Sequence, residues 1–161
     1  MEGPQQIRPK SDADYLEVMT KAAFQSGISW KVIEAKWAGF REAFRGFDPE
    51  WVAALTPRDV DRLAQDTRIV RNRRKIEGTV HNADTMVELS REHGSFRCYL
   101  RSHGDFEDTV ADLKRRFKFL GDLGAYYFLY VVGEEVPPHE EWMRTHGQAG
   151  SRRPPRARAT R

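Results

Sequence analysis

Hydrophobic residues recur along most of this chain with the period of an α-helix. The clearest run follows Ser29, where apolar side chains come at spacings of three and four residues: Trp30, Ile33, Trp37, Phe40 and Phe44. This spacing places them on one face of a helix. We predict a helix that is capped by Ser29 and buries this face, with Trp30 as its first buried residue.

Comparable patterns fill the chain between residues 11 and 143. Asp48-Pro49 and Thr56-Pro57 each pair an N-cap residue with proline at the first helical position, which opens a short helix. The other predicted helices comprise residues 13–24, a long helix through Ile76, Val80, Ala83 and Val87 that ends at Gly94, residues 96–102 after Ser95, residues 106–117 and residues 123–132. Because no strong alternating strand pattern appears, the sequence predicts an all-α fold of seven or eight short helices.

The length of 161 residues suits a single domain. We predict a loose lead-in at residues 1–10, a helical body at residues 11–143 and a disordered, arginine-rich tail at residues 144–161. The single cysteine, Cys98, excludes an internal disulfide and any metal site built from several cysteines. The longest apolar run, residues 125–132, is too short to span a membrane, and the N-terminus has no signal peptide, so we expect a cytoplasmic protein without membrane contact.

The net charge of +3 conceals two regions of opposite sign. Residues 144–161 carry six arginines and no acidic residue, whereas the other 143 residues carry 21 basic and 24 acidic groups, a net charge of −3. The basic character of the chain therefore comes from its tail and is poor evidence that the body binds nucleic acid.

A glycine-containing turn between two predicted helices, residues 117–124, could bind a DNA phosphate. The free N–H groups and the positive dipole end of the following helix attract anions, and basic residues such as Arg116 and Lys118 lie beside the turn. An ordinary hairpin of two helices with solvated charges would show the same pattern, so the residues alone leave both interpretations open.

The turn at residues 25–30 is a second candidate. Gly27 followed by an exposed aliphatic residue, Ile28, could enter a base stack, and Trp30 could form the wall of a base pocket. Alternatively, Gly27 ends one helix, Ser29 begins the next, and Trp30 belongs to the core.

Four cations crowd the start of the long helix, where positive charge opposes the helix dipole. They are Arg71, Arg73, Arg74 and Lys75. A nearby anion would relieve them, and either DNA or internal carboxylates such as Glu77, Asp66 or Glu17 would serve.

Together these segments resemble the DNA-3-methyladenine glycosylase I family, bacterial base-excision-repair enzymes of the helix-hairpin-helix superfamily. The resemblance covers about residues 14–139. The segments that carry it, in order, are Gln25-Ser26-Gly27-Ile28-Ser29-Trp30, residues 40–49, residues 69–76 with Asn82-Ala83, and residues 116–121.

The resemblance implies a two-lobed, all-α fold with a base pocket between the lobes. It also implies a monomer that extrudes an alkylated purine such as 3-methyladenine from duplex DNA and hydrolyses its N-glycosidic bond, with no cofactor and no strand cleavage. The resemblance implies that Trp30 lines the base pocket, that Gly27 and Ile28 form the wedge that fills the gap left by the base, and that Lys118, Phe119 and Gly121 hold the DNA backbone. Further candidates are Tyr15 and Tyr127 for the pocket, Gln25 for the wedge, and Arg116 and Arg71 for the backbone.

The chain departs from the family at the position that recognises the base. The family has a glutamate three residues before the glutamine of the wedge motif, and Ala22 stands there. Alanine accepts no hydrogen bond from an adenine amino group, so discrimination through that contact is lost. Glu17 is the carboxylate considered as a substitute, and the catalytic residue is otherwise unassigned.

Two further departures concern metal and charge. The family holds its termini with a zinc ion between two cysteines and two histidines, but only His139 aligns with a ligand here, so we expect no metal site and a surface or capping role for His139. Asp122, at the tip of the hairpin, would repel a phosphate, and we expect it to cap the next helix instead.

Three functions therefore stay open. The wedge motif and Trp30 favour a glycosylase with an altered base pocket. Ala22, the missing zinc ligands and Asp122 favour a non-catalytic DNA-binding or lesion-recognition module. The net negative body favours a protein-interaction domain that keeps the fold.

Overall fold

The structure is a computed structural model that describes residues 5–147, which form helices joined by short turns. The elements are α1 (Asp12–Gln25), α2 (Trp30–Ala43), a 3-10 turn (Arg45–Phe47), α3 (Pro49–Ala53), α4 (Pro57–Leu63), α5 (Arg73–His93), α6 (Phe96–Leu100), α7 (Phe106–Arg116), α8 (Asp122–Val131), α9 (His139–Trp142) and a π-helical turn (Met143–Gly147). This range contains no strand, which confirms the all-α prediction, and its nine α-helices exceed the predicted number by one. Over the same residues, every helix lacks either the length or the apolar character that crossing a bilayer requires.

The predicted caps account for most helix boundaries. The Ser29 hydroxyl accepts a hydrogen bond from the Lys31 N–H at 3.2 Å. Thr56 and Asp59 bond to each other's backbone N–H in a capping box. Gly94 ends α5 in the left-handed conformation, with φ of 94°. Local sequence signals thus set where these helices begin and end.

The apolar face of α2 is buried from its second turn onward. Its buried residues include Ile33, Trp37 and Phe40, and the ring of Trp37 stacks on Phe40 with a centroid distance of 4.7 Å. Trp30, by contrast, is 54% exposed, so its prediction as a core residue is wrong. The next two residues of α2, Lys31 and Val32, are exposed as well, and burial begins at Ile33.

The long helix α5 and helix α1 join two groups of helices. α5 packs against α1, α3, α4 and α6, while α1 also packs against α2 and α8. The first group is formed by α2 to α4 and the second by α6 to α9. Two turns connect helices within this framework: the wedge turn, residues 25–29 between α1 and α2, and the hairpin turn, residues 117–121 between α7 and α8.

Both ends of the body differ from the predicted boundaries. The Ile7 N–H donates to the Val131 carbonyl at 2.8 Å, and the Gln6 side chain donates to the Tyr130 carbonyl at 3.0 Å. These bonds attach the predicted lead-in to the end of α8. At the other end, residues 144–147 continue the helix in a π-helical turn. The rest of the predicted tail, residues 148–161, lies outside the described residues.

Candidate DNA-binding site

The hairpin turn is fixed by a single side chain of α5. Asn82, which is 1% exposed, donates from Nδ2 to the Lys118 carbonyl at 3.1 Å and accepts from the Lys118 N–H at 2.8 Å. One residue further on, Phe119 adopts a positive φ of 62°, which is rare for a side-chain-bearing residue. The backbone of this turn is therefore held in one shape before any ligand arrives.

The start of α8 presents free backbone donors beside this turn. Gly121 is its N-cap and provides no side-chain cap. The Ala125 N–H makes the first bond back to the Gly121 carbonyl, at 2.8 Å, so the N–H groups of residues 122–124 have no partner within the helix. Such groups, together with the positive end of the helix dipole, bind anions.

Asp122 does not cap α8, so that prediction is wrong. It is the first residue of α8, one position after the N-cap, and its carboxylate pairs with the Lys114 ammonium at 2.7 Å. This ion pair offsets the negative charge that would otherwise repel a phosphate at the hairpin turn.

The cations near the hairpin turn divide into paired and unpaired groups. Arg116, predicted to contact DNA, donates from Nε to Asp112 at 3.0 Å, and this bond raises the pKa of its guanidinium. Within residues 5–147, no carboxylate lies within ion-pair distance of Arg71, Arg74 or Lys118, and all three are exposed. These three side chains supply the positive charge that is available to a phosphate.

The structure adds Arg74, one of the four cations at the start of α5, to the candidate contacts with DNA. Its guanidinium carbon lies 5.8 Å from the centroid of the Phe119 ring, which places the charge next to the hairpin turn. Arg73 instead pairs with Asp61 and Glu77. Internal carboxylates thus relieve only part of the cation cluster.

Ile28, in the wedge turn, and Trp30, directly after it, differ in exposure from the expectation of an exposed Ile28 and a buried Trp30. Gly27 has a φ of 78° and open space around it, as a turn glycine requires. Ile28 is half-buried against the core, whereas Trp30 is exposed. The residue that projects furthest toward solvent beside this turn is therefore the tryptophan.

Lys75 lies between the wedge turn and the hairpin turn and was not predicted as a site residue on its own. Its Nζ donates to the carbonyls of Phe24, at 3.3 Å, and Ser26. The same Nζ is 5.7 Å from the centroid of the Phe119 ring. Burial lowers the pKa of this lysine. No local pattern could have identified it, because its partners are about 50 residues away along the chain.

Glu17 is engaged by α2. Its carboxylate accepts from Trp37 Nε1 at 2.8 Å and from Arg41 Nε at 2.6 Å. Five residues of an α-helix correspond to about 140° of rotation, so Glu17 and Ala22 lie on different faces of α1. This geometry argues against Glu17 as a replacement for the missing glutamate.

The predicted pocket residues are not gathered around one cavity. Tyr15 is 3% exposed, and its hydroxyl accepts from Arg97 Nε at 3.0 Å, which makes it a core residue. It lies about 15 Å along α1 from Gln25 and hence far from Trp30. Two surface hollows, of about 430 Å³ beside Trp51 and about 520 Å³ beside Asp112, are lined by none of the predicted pocket residues.

His139 makes a side-chain contact that does not suit a metal ligand set. Its Nε2 lies 2.6 Å from the hydroxyl of Tyr127, the third predicted pocket residue, whose pKa is raised by burial. The neighbouring Tyr126 stacks on Trp142 at 5.8 Å between ring centroids. Among residues 5–147, no three His, Cys, Asp or Glu side chains are grouped to hold a metal ion. The residues present do not fit the zinc site of the family.

Comparison with known proteins identifies the family. Residues 7–115 match the sequence family of methyladenine glycosylases. The DNA-3-methyladenine glycosylase of Haemophilus influenzae is 28% identical over 148 residues, covering 78% of this chain and 80% of that protein. DNA-3-methyladenine glycosylase 1 of Escherichia coli is 29% identical over 147 residues, covering 78% and 79%.

A solved structure agrees with the sequence comparison. The 3-methyladenine DNA glycosylase I of Staphylococcus aureus superposes with a TM-score of 0.70 at 28% identity, and the match covers 80% of each chain. The family match spans well over half of this chain, and the fold agrees over four fifths of it. The chain therefore belongs to the methyladenine glycosylase family.

Proposed function

We propose that this protein is a DNA glycosylase of base-excision repair that removes an alkylated purine, such as 3-methyladenine, from duplex DNA. The observation that carries the proposal is the arrangement of the wedge turn and the hairpin turn. α5 contacts the first through Lys75 and the second through Asn82, so that the two turns expected to contact DNA are both held by one helix in a member of this family.

The hairpin turn would hold the DNA backbone. The free N–H groups at the start of α8 face an anion without reading sequence. Lys118, Arg74 and Arg71 add positive charge that is not taken up by ion pairs among the described residues. Binding at this turn places the neighbouring nucleotide next to the wedge turn, where Gly27 allows the chain to approach a base stack closely.

The chemistry requires little acid catalysis from the protein. An adenine alkylated at N3 is cationic, so its bond to C1′ breaks with the electron pair moving onto the base, which leaves neutral. Water adds to C1′ and loses a proton. An exposed indole such as Trp30 can stack on the cationic base and favour its extrusion. Lys75 donates hydrogen bonds to two backbone carbonyls, so its amino group is not free to attack C1′. This arrangement supports hydrolysis without a lyase step.

Ala22 supports a second candidate function, a module that binds damaged DNA without excising the base. Glu17, the carboxylate considered as a substitute for the family glutamate, is bonded to Trp37 and Arg41 instead. A protein of this kind would bind and extrude an alkylated base and leave its glycosidic bond intact.

One experiment separates the two functions. Duplex DNA treated with a methylating agent is incubated with the full chain, and released bases are separated by chromatography, with the Trp30→Ala variant as control. We expect 3-methyladenine to be released by the parent protein and not by the variant. Release of a different alkylated base would redefine the substrate. No release, together with salt-sensitive duplex binding, would contradict the glycosylase function and favour the binding module.

A further inference from the structure

Lys75 is the one buried ammonium that contacts both turns of the site in the described part of the chain. Its side chain is nearly inaccessible, with 6% of the residue exposed. On one side its Nζ donates to the carbonyls of Phe24 and Ser26, at the end of α1 and in the wedge turn. On the other side it faces the ring of Phe119 in the hairpin turn, 5.7 Å from the centroid.

The contacts with α1 have a physical reason. The last carbonyls of a helix have no partner within it and carry the negative end of its dipole. An ammonium placed there satisfies them and is stabilised by the dipole, which offsets the cost of burying the charge. A neutral side chain of the same length would leave the carbonyl of Ser26, which directly precedes Gly27, without this donor.

The contact with the hairpin turn is equally constrained. The Phe119 ring lies against the backbone of α5 at Gly78, where a Cβ atom would come within 2.8 Å of the ring. Asn82 fixes the preceding residue, Lys118, through two hydrogen bonds. A shift of the Phe119 ring would therefore disturb either its packing against α5 or its contact with Lys75.

On the basis of the proposed function, we propose that Lys75 is a positioning residue that couples binding of the DNA backbone at the hairpin turn to base extrusion at the wedge turn. It reaches neither the DNA nor the base. Asn82 and Gly78 hold the hairpin turn and Phe119 in place, and Lys75 fixes Ser26 and Gly27 relative to that ring. A phosphate that seats on the hairpin turn thereby brings the wedge turn to the base stack. Duplex binding and extrusion thereby become linked steps.

The test separates binding from extrusion. A duplex carries 2-aminopurine beside an abasic-site analogue, so that insertion of the wedge turn into the gap changes the fluorescence at saturating protein. Fluorescence anisotropy gives the dissociation constant of an undamaged duplex of the same length, which offers no gap for insertion. For Lys75→Met in the full chain we expect a dissociation constant within about threefold of the parent, because no DNA contact is lost. We expect the equilibrium for insertion to fall about tenfold, as the hydrogen bonds to Phe24 at the end of α1 and to Ser26 in the wedge turn are lost.

Arg74→Met is the matched control. It removes the neighbouring cation, which faces the same Phe119 ring but is exposed and does not contact the wedge turn. We expect the opposite signature: weaker, less salt-dependent duplex binding and an unchanged fluorescence amplitude at saturation. Lys75→Arg keeps a charged donor near the carbonyls and should restore most of the insertion signal, which a purely structural defect would not predict.

The coupling itself is tested by a double-mutant cycle with Phe119→Leu. If Lys75 acts through Phe119, the double variant loses no more insertion than the worse single variant. Additive losses, or a Lys75→Met protein that inserts like the parent, would overturn the proposal. If Lys75→Met does not fold, Lys75→Gln, which also removes the charge, takes its place in the same cycle with Phe119→Leu. A parent protein that binds the duplex without any fluorescence change would contradict the proposed function itself.

Discussion

Trp30 and Trp37 lie two turns apart on α2, yet one is 54% exposed and the other 5% exposed. Trp37 stacks on Phe40 and Phe47 and donates its indole N–H to Glu17. Trp30 lies outside the core and next to the wedge turn. The same residue type therefore serves stability at one position and is free to serve binding at the other.

This difference predicts opposite phenotypes for the two tryptophans. Trp37→Ala should destabilise the protein by about 3–5 kcal/mol, because it empties a packed site and leaves Glu17 with one donor fewer. Trp30→Ala should change the free energy of unfolding by no more than about 0.5 kcal/mol while abolishing base release. Urea denaturation and the release assay measure the two effects. A large loss of stability in Trp30→Ala would contradict a binding role.

Ala22 stands where the sequence resemblance implies a glutamate that recognises the base. It is half-buried on α1. If base recognition follows the family arrangement, Ala22→Glu restores an acceptor for the adenine amino group and should raise the rate of 3-methyladenine release at least about tenfold. Ala22→Gln, which supplies an acceptor without a charge, shows whether the hydrogen bond or the charge is responsible. A folded Ala22→Glu protein with unchanged release would mean that this chain binds its base differently.

At the scale of elements, α5 is the support on which the site is built. It packs against α1, α3, α4 and α6, and its side chains hold the hairpin turn from one side. Its close contact with the Phe119 ring is possible because residue 78 is glycine, which costs helix propensity and permits the approach.

Gly78→Ala should therefore destabilise the protein despite the better helix propensity of alanine. The added Cβ would lie 2.8 Å from the Phe119 ring, an overlap that typically costs about 1–3 kcal/mol. Gly124→Ala on α8, where the nearest atom is 3.4 Å away, is the control and should be neutral or stabilising. Melting temperatures and duplex affinity report the result. Unchanged affinity in a destabilised Gly78→Ala protein would show that the hairpin turn tolerates displacement.

The contact between α6 and α7 depends on Asp112. Its carboxylate accepts from the Tyr99 hydroxyl at 2.6 Å, and His103 Nε2 and Arg116 Nε lie 3.1 Å and 3.0 Å away. Burial by itself raises the pKa of Asp112, but these bonds outweigh it and hold the pKa below its usual range. The folded state therefore binds this proton more weakly than the unfolded state, and the stabilisation is present above the unfolded pKa of 3.8.

We accordingly expect Asp112→Asn to cost about 2 kcal/mol at pH 7. The difference from the parent should narrow as the pH falls below about 4, because the Asp112 carboxylate is then protonated in the unfolded parent, which stabilises the unfolded state. Urea denaturation at pH 7 and pH 3 measures this, with the exposed Asp84→Asn as a control for the change in net charge. A difference that is the same at both pH values would indicate lost packing instead of a lost charge.

At the scale of the whole molecule, the excess positive charge and the candidate DNA-binding site lie in different parts of the chain. Residues 148–161 carry five arginines and no acidic residue, so their removal changes the net charge from +3 to −2. The two turns and the cations Arg71, Arg74 and Lys118 all lie in the remaining part.

Deletion of residues 148–161 should weaken binding to undamaged duplex and make it less salt-dependent. Each phosphate contact contributes about 0.9 to the slope of log K against log salt, so five arginines account for a change of up to about 4.5. Insertion of the wedge turn at saturating protein should be unchanged. Complete loss of duplex binding would instead favour the protein-interaction function for the body.

Much of this protein is determined by local sequence. The N-caps, the proline positions, Gly94 and the apolar face of α2 predicted the helices to within a few residues, because these signals act within one or two turns of the chain. The resemblance carried by four short segments correctly identified the family, and three of those segments form the two turns and their support on α5.

Only the tertiary structure decided which side chains are available. Periodicity placed Trp30 in the core, but Trp30 is 54% exposed in the folded protein. Spacing made Arg116 and Glu17 candidates, but Asp112 and Trp37 engage them. In the sequence, Lys75 is one of four cations in a cluster. Only the folded structure shows that its ammonium donates to two carbonyls about 50 residues earlier in the chain. Burial and pairing depend on contacts between distant segments, and no local pattern encodes them.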